Sequence, residues 1–529
     1  MWVKGWRQQA WQQLDQEWDI LVIGGGITGA GVFRRAVQEG YKTLLVEAGD
    51  FASGTSSNSS KLIHGGIRYL RNKQYKVTRE SLREREWLLK EAPHLVTPLG
   101  FLMPCTHDRK MISMYSFGVF LYDLLVPKWK HYRLSRNQML QEFSFFDTEN
   151  LACGFLYFDA GMDDSCMVLR LLREAVAKGG IALNYAKATS LLKDSNGFVR
   201  GAVISDQSSI GLGEVEVKAR VVINATGPWS DEVREGINAP ARLRKIRGSH
   251  LVFSADRLSL PHAISILHPH DRRAMFAIPW EGVSIIGTTD FDHPWPLSEG
   301  EPYTTQKEID YILQAANATF PALELGRSDI IATYSGVRPV INTGKTDPSK
   351  ESRTHAVWEE NGMITITGGK YTTFRIMAED ALRMALPYLA HPSDLSRSKP
   401  YFSPLPAIKP PQGITLGTWN KILGRYGGET AQLLEYVGVE GNQPIHNLPI
   451  LWSELRWAAR TGAIEHLDDL LLRRVRLGLQ LPDGARADMA RIRALAQPEL
   501  GWSDARWDAE LQRYYDIYAK SYSPAPLGF

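Results

Sequence analysis

Three glycines near the amino terminus have the spacing that lets a backbone turn hold a pyrophosphate. Gly24, Gly26 and Gly29 form the pattern G-x-G-x-x-G between an apolar run, Ile20 to Ile23, and a helical pattern from Ile27 to about Gln38. The first glycine permits a tight turn, the second lets backbone approach phosphate, and the third lets helix and strand pack closely. The start of the helix adds unpaired N–H groups. The alternative is a turn that merely tolerates glycine.

A second apolar run, Thr43 to Val46, ends on Glu47, whose carboxylate is placed to accept hydrogen bonds from a ribose diol. Strand, turn, helix, strand and acid together predict a βαβ unit that binds a dinucleotide. The glycines alone do not separate NAD from FAD. The continuation does, because a polar loop, Ser53 to Ser60, leads directly into Lys61–Gly66. Hydroxyl groups and glycine backbone there can follow the long pyrophosphate and ribityl chain of FAD.

Two later glycine turns are predicted to return the chain to the same ligand. Val221 to Ile223 has the pattern of a buried parallel strand, and Ala225-Thr226-Gly227 follows it. Met363 to Thr367 is predicted as a last strand, which enters GGKYTT and a helix from about Phe374 to Leu386. A cofactor enclosed by distant parts of the chain fits a bound flavin better than a dissociable NAD.

Composition limits the classes of protein that fit. With 529 residues, 44% of them hydrophobic, the chain is long enough for two or three domains. A net charge of +3 without a long basic run gives no reason to expect nucleic acid as a partner. Cys105, Cys153 and Cys166 lie far apart, which predicts neither a metal site nor a disulfide and favours a reducing, cytoplasmic setting. No apolar run reaches the roughly 18 residues of a spanning helix.

The pattern of elements predicts an amino-terminal amphipathic segment at 1–18 and an interleaved pair of domains at 19–390. The FAD-binding parts are expected at about 19–95, 151–235 and 335–390, and the substrate-binding parts at about 96–150 and 236–334. Residues 391–413 contain six prolines and are predicted to be a linker. Residues 414–521 are predicted to form a helical domain, with helices at about 416–425, 429–437, 451–460, 463–479, 484–497 and 503–521.

Two segments have the composition of an in-plane membrane anchor. The first combines four tryptophans with two cations, and the second is MISMYSFGVFLYDLL at 111–125, followed by a cationic run. Tryptophan and cationic side chains suit the interface, and cations meet anionic headgroups. The alternatives are a helix whose aromatic side packs on the domain, and an ordinary core helix with a solvated basic end. The residues concerned are Trp2, Lys4, Trp6, Arg7, Trp11, Trp18, Lys128, Lys130, His131, Arg133 and Arg136.

The stretch TSSNSSKLIHGGIRYL resembles the aerobic, FAD-dependent glycerol-3-phosphate dehydrogenases. VINATGPW, IRGSH, SIIGTTD, YSGVRPV and GGKYTTF resemble further blocks of that family, in the family's order, from about residue 17 to 387. LLRRVRLG at 471–478 resembles its cap domain. The resemblance implies an α/β fold of the D-amino-acid-oxidase type: a Rossmann-type FAD-binding domain interleaved with a mixed β-sheet substrate domain, plus a C-terminal all-helical cap domain.

The resemblance also implies a reaction. It is the oxidation of sn-glycerol 3-phosphate to dihydroxyacetone phosphate by hydride transfer to FAD, with electrons passed to the membrane quinone pool. The protein would bind peripherally at the inner face of the cytoplasmic membrane, and a homodimer is left open. One alternative is a soluble, oxygen-using flavin oxidase of glycerol 3-phosphate or of another 2-hydroxy or amino acid. Another is a flavin-binding protein that has lost catalysis.

The family's substrate positions fall on cations and hydrogen-bonding side chains. Guanidinium groups bind phosphate bidentately, and three arginines would balance a dianion; Lys370 would lie near the flavin ring and stabilise negative charge there. Two alternatives are left open for loss of the hydroxyl proton. Either His250, whose ordinary pKa is about 6.5, accepts it as a base, or Arg338 favours the alkoxide electrostatically. Structural alternatives remain: ion-pair arginines, core histidines and a strand hydroxyl at Thr288. The implied substrate residues are Arg68, Tyr69, His250, Thr288, Arg338 and Arg353, and the implied catalytic residues are His250, Arg338 and Lys370.

One departure from the family pattern concerns Cys166. The family commonly has Asp-Asp-Ala-Arg where this chain has Asp163-Asp164-Ser165-Cys166. The missing arginine indicates either a substitution at a structural pair or an altered edge of the site. The predicted FAD-binding residues are Gly24, Gly26, Ile27, Thr28, Gly29, Glu47, Ala48, Thr55, Ser56, Ser57, Lys61, Leu62, His64, Gly65, Ala188, Ala225, Gly227, Gly369, Lys370 and Thr372.

Overall fold

The helix and the second strand of the amino-terminal βαβ unit have the predicted bounds, whereas its first strand begins three residues earlier than predicted. The computed structural model shows the helix Ile27–Gln38 and the strand Thr43–Val46 at the predicted positions, after a first strand, Glu17–Ile23. The two strands are parallel neighbours, as a right-handed crossover requires. The structure describes residues 2–67, 75–125, 130–143, 145–146, 149–348, 351, 354–391, 393, 395, 399–437 and 441–524.

This unit belongs to a mixed sheet, which has eight strands within the described residues. The predicted strand at 221–223 is the end of a longer strand, Glu214–Asn224. Its first half pairs antiparallel with Val199–Asp206 and its second half pairs in parallel with Glu17–Ile23. The strands Ile181–Leu183 and Ala186–Lys193 are separated at Tyr185, which has φ 49°. The strand order is His355–Glu360, Met363–Gly368, Glu214–Asn224, Glu17–Ile23, Thr43–Val46 and Ile181–Leu183. Val199–Asp206 also pairs with Glu214–Asn224, and Ala186–Lys193 pairs with Val199–Asp206.

Three helices cover one face of this sheet. Ile27–Gln38 lies between Asp164–Val176 and Phe374–Ala385, and their apolar sides join the same core as the strands. Helix Tyr75–Glu91 packs beside them. The helices are therefore held by burial of one face each, and their amino-terminal ends are fixed relative to the sheet edge where the glycine turns lie.

A second sheet, with ten strands within the described residues, carries the other wall of the molecule. Two pairs of long antiparallel strands dominate it: Val96–Thr106 with Leu151–Met162, and Leu243–Ser254 with Ile330–Ile341. The sequence placed 151–162 and the end of 330–341 in the FAD-binding parts, and their hydrogen-bond partners place both strands in the second sheet. Its remaining strands are Leu62–Ile63, Tyr132–Ser135, Ala263–Leu267, Ala274–Trp280, Val283–Gly287 and Phe291–Asp292.

The carboxy-terminal part is helical, and its largest difference from the sequence prediction lies at 463–479. The predicted helix at 463–479 is wrong: a π-helical turn, Asp469–Arg474, is followed by Arg476 with φ 62° and by Leu477–Gln480. The interruption lets several arginine side chains of this segment point into the rest of the molecule. The other elements are Leu416–Tyr426, Thr430–Val437, Trp452–Thr461, Met489–Leu500, Asp504–Ile517 and Tyr518–Tyr522.

The predicted linker is a packed segment where the structure describes it. Tyr401 and Phe402 are buried in the core of the FAD-binding part. Arg34 Nε donates to the carbonyl of Tyr401 at 2.8 Å, and Glu91 accepts from its N–H at 3.0 Å. The connection around Tyr401 is therefore fixed, because its backbone has hydrogen-bond partners that a free spacer lacks.

The tryptophans of the amino-terminal segment pack on the domain, which is the alternative to a membrane anchor. Trp2 stacks on Phe51 with 5.1 Å between ring centroids, and Trp18 is also buried. Arg7 is buried as well and donates to Asn184 O at 2.6 Å. Aromatic and cationic groups that already have protein partners are not presented to lipid.

The second candidate anchor differs, because its apolar side chains are exposed. Helix Arg109–Leu125 buries Val119 and Tyr122. Phe120 and Leu124 are 54% and 60% exposed on the same helix. No helix within the described residues has the length and hydropathy to span a bilayer.

Candidate active site

A cavity of about 1330 Å³ is lined by residues of both sheets. The glycine turn at 24–28 forms part of its wall, together with both later glycine turns. Most of the sequence-predicted residues lie on this wall. They are Gly24, Gly26, Ile27, Thr28, Glu47, Ala48, Thr55, Ser56, Leu62, His64, Ala188, Ala225, Gly227, Thr288, Arg338, Gly369, Lys370 and Thr372.

The glycine turn has the close contacts that the spacing predicts. Gly24 has φ 113°, and a Cβ there would lie 2.6 Å from the carbonyl oxygen of Ala225. A Cβ on Gly29 would lie 1.8 Å from the carbonyl oxygen of Gly24. Gly29 therefore packs helix against turn, as predicted, without lining the cavity. Any side chain at either position would displace backbone.

The start of helix Ile27–Gln38 faces the cavity with little of its own capping. The N-cap residue is Gly26, which has no side chain to cap the helix, and the N–H of Ile27 donates to Ser56 Oγ at 2.9 Å. Uncapped N–H groups and the positive end of the helix suit a phosphate. The side chain of Glu47 accepts hydrogen bonds from the N–H groups of Gly25 at 2.7 Å and Gly49 at 2.9 Å. Burial raises the pKa of this carboxyl group. The carboxylate is thus fixed at the cavity wall.

Two segments far apart in sequence meet beside the first turn. The N–H of His64 donates to Thr372 Oγ1 at 3.3 Å, which links the loop after Ser60 to the turn at 368–373. Gly369 has φ 74° there, which explains the glycine. Lys370 Nζ donates to Ser81 Oγ at 3.0 Å and lies on the cavity wall. An ammonium group therefore faces the same space as the glycine turn.

Two guanidinium groups share one carboxylate at the cavity wall. Arg338 Nη1 donates to Asp290, and its Nη2 donates to Thr288 Oγ1 at 3.1 Å. Arg273 Nη2 lies 2.6 Å from the other oxygen of Asp290. Two positive groups on one negative group leave a net positive charge facing the cavity, where an anion would be attracted. The side chains involved all line the cavity: Arg273, Thr288, Asp290 and Arg338.

Arg273 and Asp290 are the residues that sequence reasoning missed. Arg273 directly precedes the strand Ala274–Trp280, and Asp290 ends the GTTD block. The only available signal was their adjacency to two blocks that resemble the family. Local sequence does not distinguish Arg273 from its neighbour Arg272, because the difference lies in the ion pair that Arg273 forms with Asp290.

His250 lies behind the cavity wall rather than on it. The side chain is buried, with 1% of the residue exposed, and its ring stacks on Tyr334 at 4.5 Å. Nε2 is 2.9 Å from Ser60 Oγ, and Ser60 does line the cavity. Burial, followed by the charges of Arg338 and Lys61, lowers the pKa of His250 well below 6.5. The predicted contact of His250 with substrate stays a prediction, and the Ser60 hydroxyl lies between its ring and the cavity wall.

The lowered pKa of His250 predicts how the protein responds to acid. Above about pH 6.5 the ring is neutral in both the folded and unfolded states, whereas below it only the unfolded chain binds a proton. Unfolding of the wild type should therefore become easier by up to about 1.4 kcal/mol for each pH unit below that point. His250→Gln removes this contribution. Urea unfolding at about pH 8 and about pH 5.5 should show the variant gaining on the wild type at the lower pH; a constant difference would contradict a neutral His250.

Three further predicted FAD ligands, Ser57, Lys61 and Gly65, do not line the cavity and have polar groups bound to other parts of the protein. The Lys61 ammonium is fully buried against Asp164, with Nζ–Oδ2 2.8 Å. The carbonyl of Ser57 accepts from the same ammonium at 2.8 Å. The N–H of Gly65 donates to Tyr122 OH and to Asp159 Oδ1, both at 3.1 Å. All three residues were predicted as ligands from their positions in the loop. Their polar groups instead bind residues that are more distant in the fold or in sequence, such as Asp164 and Asp159.

The departure at Cys166 lies away from the cavity. Cys166 is buried in helix Asp164–Val176, and its N–H donates to the capping carboxylate of Asp163 at 3.2 Å. Burial raises the pKa of its thiol well above the ordinary value, and the positive charges of Arg425 and Arg476, both from the helical domain, act in the opposite direction. Of the two interpretations, the position fits a structural substitution, because the cavity wall does not include it. Arg68, Tyr69 and Arg353 lie outside the described residues.

Comparison with known proteins is consistent with this geometry. Residues 19–375 match the family described as FAD dependent oxidoreductase, and residues 364–507 match the C-terminal domain of alpha-glycerophosphate oxidase. The chain is similar to the solved glycerol-3-phosphate dehydrogenase from Bacillus halodurans complexed with FAD, with 27% identity and a TM-score of 0.78 over 100% of both chains.

Curated relatives cover most of the chain. Glycerol-3-phosphate dehydrogenase 2 of Mycobacterium bovis is 35% identical over 96% of this chain and 89% of its own length. The mitochondrial glycerol-3-phosphate dehydrogenase of Homo sapiens is 33% identical over 97% of this chain and 75% of its own length. The resemblance and the fold class expected from the sequence are both confirmed. The chain belongs to the family of FAD-dependent glycerol-3-phosphate dehydrogenases.

Proposed function

We propose that this protein oxidises sn-glycerol 3-phosphate to dihydroxyacetone phosphate and passes the electrons to a membrane quinone. The names of its relatives support the substrate. The observation that carries the proposal is the Arg273–Asp290–Arg338 group, which places net positive charge on the wall of the cavity that also contains the glycine turn. A phosphorylated alcohol needs both features: a cationic anchor and a nearby hydride acceptor.

The residues present fit FAD. The backbone at Gly24 and Gly29 leaves no room for side chains, and the uncapped start of helix Ile27–Gln38 would hold the pyrophosphate. Glu47 would bind ribose, and the turns at 225–227 and 369–372 would enclose the remainder. When bound, FAD supplies the hydride acceptor for the carbinol carbon. Lys370 adds a positive charge to the wall of that space.

Arg338 would both bind the phosphate and favour loss of the hydroxyl proton. Its guanidinium is fixed by Asp290 and Thr288, so that it needs little reorganisation when an anion arrives. A nearby positive charge stabilises an alkoxide relative to the alcohol. Ser60 could carry the proton to Nε2 of His250, 2.9 Å away. Since the pKa of His250 is lowered, we assign the larger effect to Arg338.

The test of the substrate is flavin bleaching without oxygen. The holoprotein is mixed with glycerol 3-phosphate, glycerol, lactate and glycine in separate anaerobic experiments, and the flavin absorbance is followed. We expect rapid bleaching by glycerol 3-phosphate alone, because only this compound has both the alcohol and the dianion. Equal bleaching by lactate or glycine would contradict the proposal and favour the alternative 2-hydroxy or amino acid oxidase.

The proposed acceptor is a quinone that is reached at the membrane surface. Tyr115, Gly118 and Leu121 of helix Arg109–Leu125 line the cavity, while Phe120 and Leu124 of the same helix are exposed. An apolar helix that connects the cavity wall to an exposed apolar face suits in-plane binding to lipid, at the inner face of the cytoplasmic membrane. Substantial peroxide production in air without added quinone would favour oxygen as the acceptor instead.

Charges on the exposed face of this helix should weaken membrane binding. We expect the double variant Phe120→Asp/Leu124→Asp to bind anionic vesicles at least tenfold more weakly than the wild type, because carboxylates are repelled by lipid headgroups and resist burial. Neither residue lines the cavity, so bleaching by substrate should be unchanged. Leu416→Asp is the matched control, since Leu416 is 65% exposed in the helical domain. Vesicle co-sedimentation that is equal for all three proteins would rule out this helix as the anchor.

A further inference from the structure

Arginines of the helical domain reach the loop that follows Glu47. Arg474 donates to both oxygens of Asp50, with distances of 2.6 and 2.7 Å. Arg473 Nε donates to Oδ2 of the same carboxylate at 2.5 Å. The three side chains are buried. One carboxylate of the FAD-binding part thus holds two guanidinium groups from another part of the chain.

Asp50 lies in a loop whose backbone is tied to the glycine turn. The N–H of Ala52 donates to the carbonyl of Gly25 at 3.1 Å, and Glu47 accepts from the N–H of Gly25 at 2.7 Å. Asn184 Nδ2 donates to Asp50 Oδ1 at 3.0 Å. A shift of Asp50 would therefore move the backbone on which Glu47 and the glycine turn depend.

A second contact from the same segment reaches the end of this loop. Arg476 Nη2 donates to the carbonyl of Ser57 at 3.0 Å and lies 3.2 Å from Asp164 Oδ1. Lys61 donates to the same carbonyl. The neighbouring Ser56 accepts from the N–H of Ile27, at the start of the first helix. The segment 473–476 therefore holds the loop 50–57 at both ends.

Charge accounts for the strength of these contacts. Burial raises the pKa of Asp50, but the guanidiniums of Arg474 and Arg473 outweigh it and lower the pKa below its ordinary value. The carboxylate is therefore ionised, and removal of one arginine leaves a buried charge with fewer partners, which is strongly unfavourable. The loop would then relax toward a geometry in which Asp50 gains water.

We propose that the segment 473–476 is a positioning element for FAD, so that docking of the helical domain and retention of the cofactor are coupled. The break in the predicted helix at 463–479 serves this purpose, because a regular helix would not direct Arg473, Arg474 and Arg476 to the two ends of one loop. The inference depends on FAD as the cofactor and not on the substrate or on the electron acceptor.

The test compares two buried arginines of the helical domain. Arg474→Met removes the contact with Asp50. Arg425→Met is the matched control, because Arg425 is also buried and bound to two carboxylates, Glu281 and Glu454, away from the loop. The measurement is the rate at which diluted holoprotein releases FAD, followed by flavin fluorescence at a temperature where circular dichroism shows folded protein. We expect release to be about tenfold faster in Arg474→Met and close to wild type in Arg425→Met.

Two results would overturn the proposal. One is release at the wild-type rate from Arg474→Met, which would make the contact purely structural. The other is equal acceleration in both variants, which would indicate general destabilisation. If Arg474→Met does not fold, Asp50→Asn replaces it, since the amide keeps the shape and loses the charge, and the same criteria apply. Because FAD release needs no substrate, its outcome is independent of the bleaching experiment.

Discussion

Arg338→Ala should retain FAD and lose nearly all oxidation of glycerol 3-phosphate. The guanidinium is bound to Asp290 and Thr288 on the cavity wall, and these residues do not belong to the glycine turn. Removing it also takes away one of the guanidinium groups that bind Asp290. We expect the anaerobic rate of flavin bleaching to fall about a thousandfold, which is at the upper end for loss of one preorganised group.

Arg327→Ala is the control for this variant. Arg327 is exposed and binds Asp310 at the surface, so its loss should change neither the flavin spectrum nor bleaching. Bleaching of Arg338→Ala at the wild-type rate would remove Arg338 from the site. Loss of bound flavin in this variant would give Arg338 a role in cofactor binding instead.

Gly29→Val should abolish FAD binding. A Cβ at this position would lie 1.8 Å from the carbonyl oxygen of Gly24, so that helix and strand must separate. The separation would move the start of helix Ile27–Gln38 away from Gly24 and Ala225, against which Gly29 is packed. We expect a colourless protein whose flavin content, measured after denaturation, is below about a tenth of the wild-type value.

Gly428→Ala tests whether any added methyl group would have the same effect. Gly428 is in the helical domain, and apart from its chain neighbours no atom of the described residues lies within 4 Å of a Cβ at this position. This variant should therefore bind FAD as the wild type does. If Gly29→Val retained a full complement of FAD, close packing at the third glycine would not be required.

Local sequence patterns were enough to predict the βαβ unit and the three glycine turns, and they carry the family resemblance. These features are local, because the geometry of a tight turn and of a helix start depends on adjacent residues. The bounds at Ile27–Gln38 and Thr43–Val46 were predicted correctly for this reason. The helical nature of residues 414–521 was predicted in the same way, from the spacing of apolar residues.

Contacts between side chains from distant segments could not be predicted in this way, because they depend on the complete fold. Arg273 and Arg338 share Asp290 because the strands that carry them belong to one sheet, whose pairing no local pattern specifies. His250 was predicted at the substrate and lies behind Ser60, because a strand has two faces and its neighbours choose between them. Burial of Trp2 was likewise decided by contact with distant residues. Charge pairing between distant segments, like that of Arg474 with Asp50, depends on the whole fold.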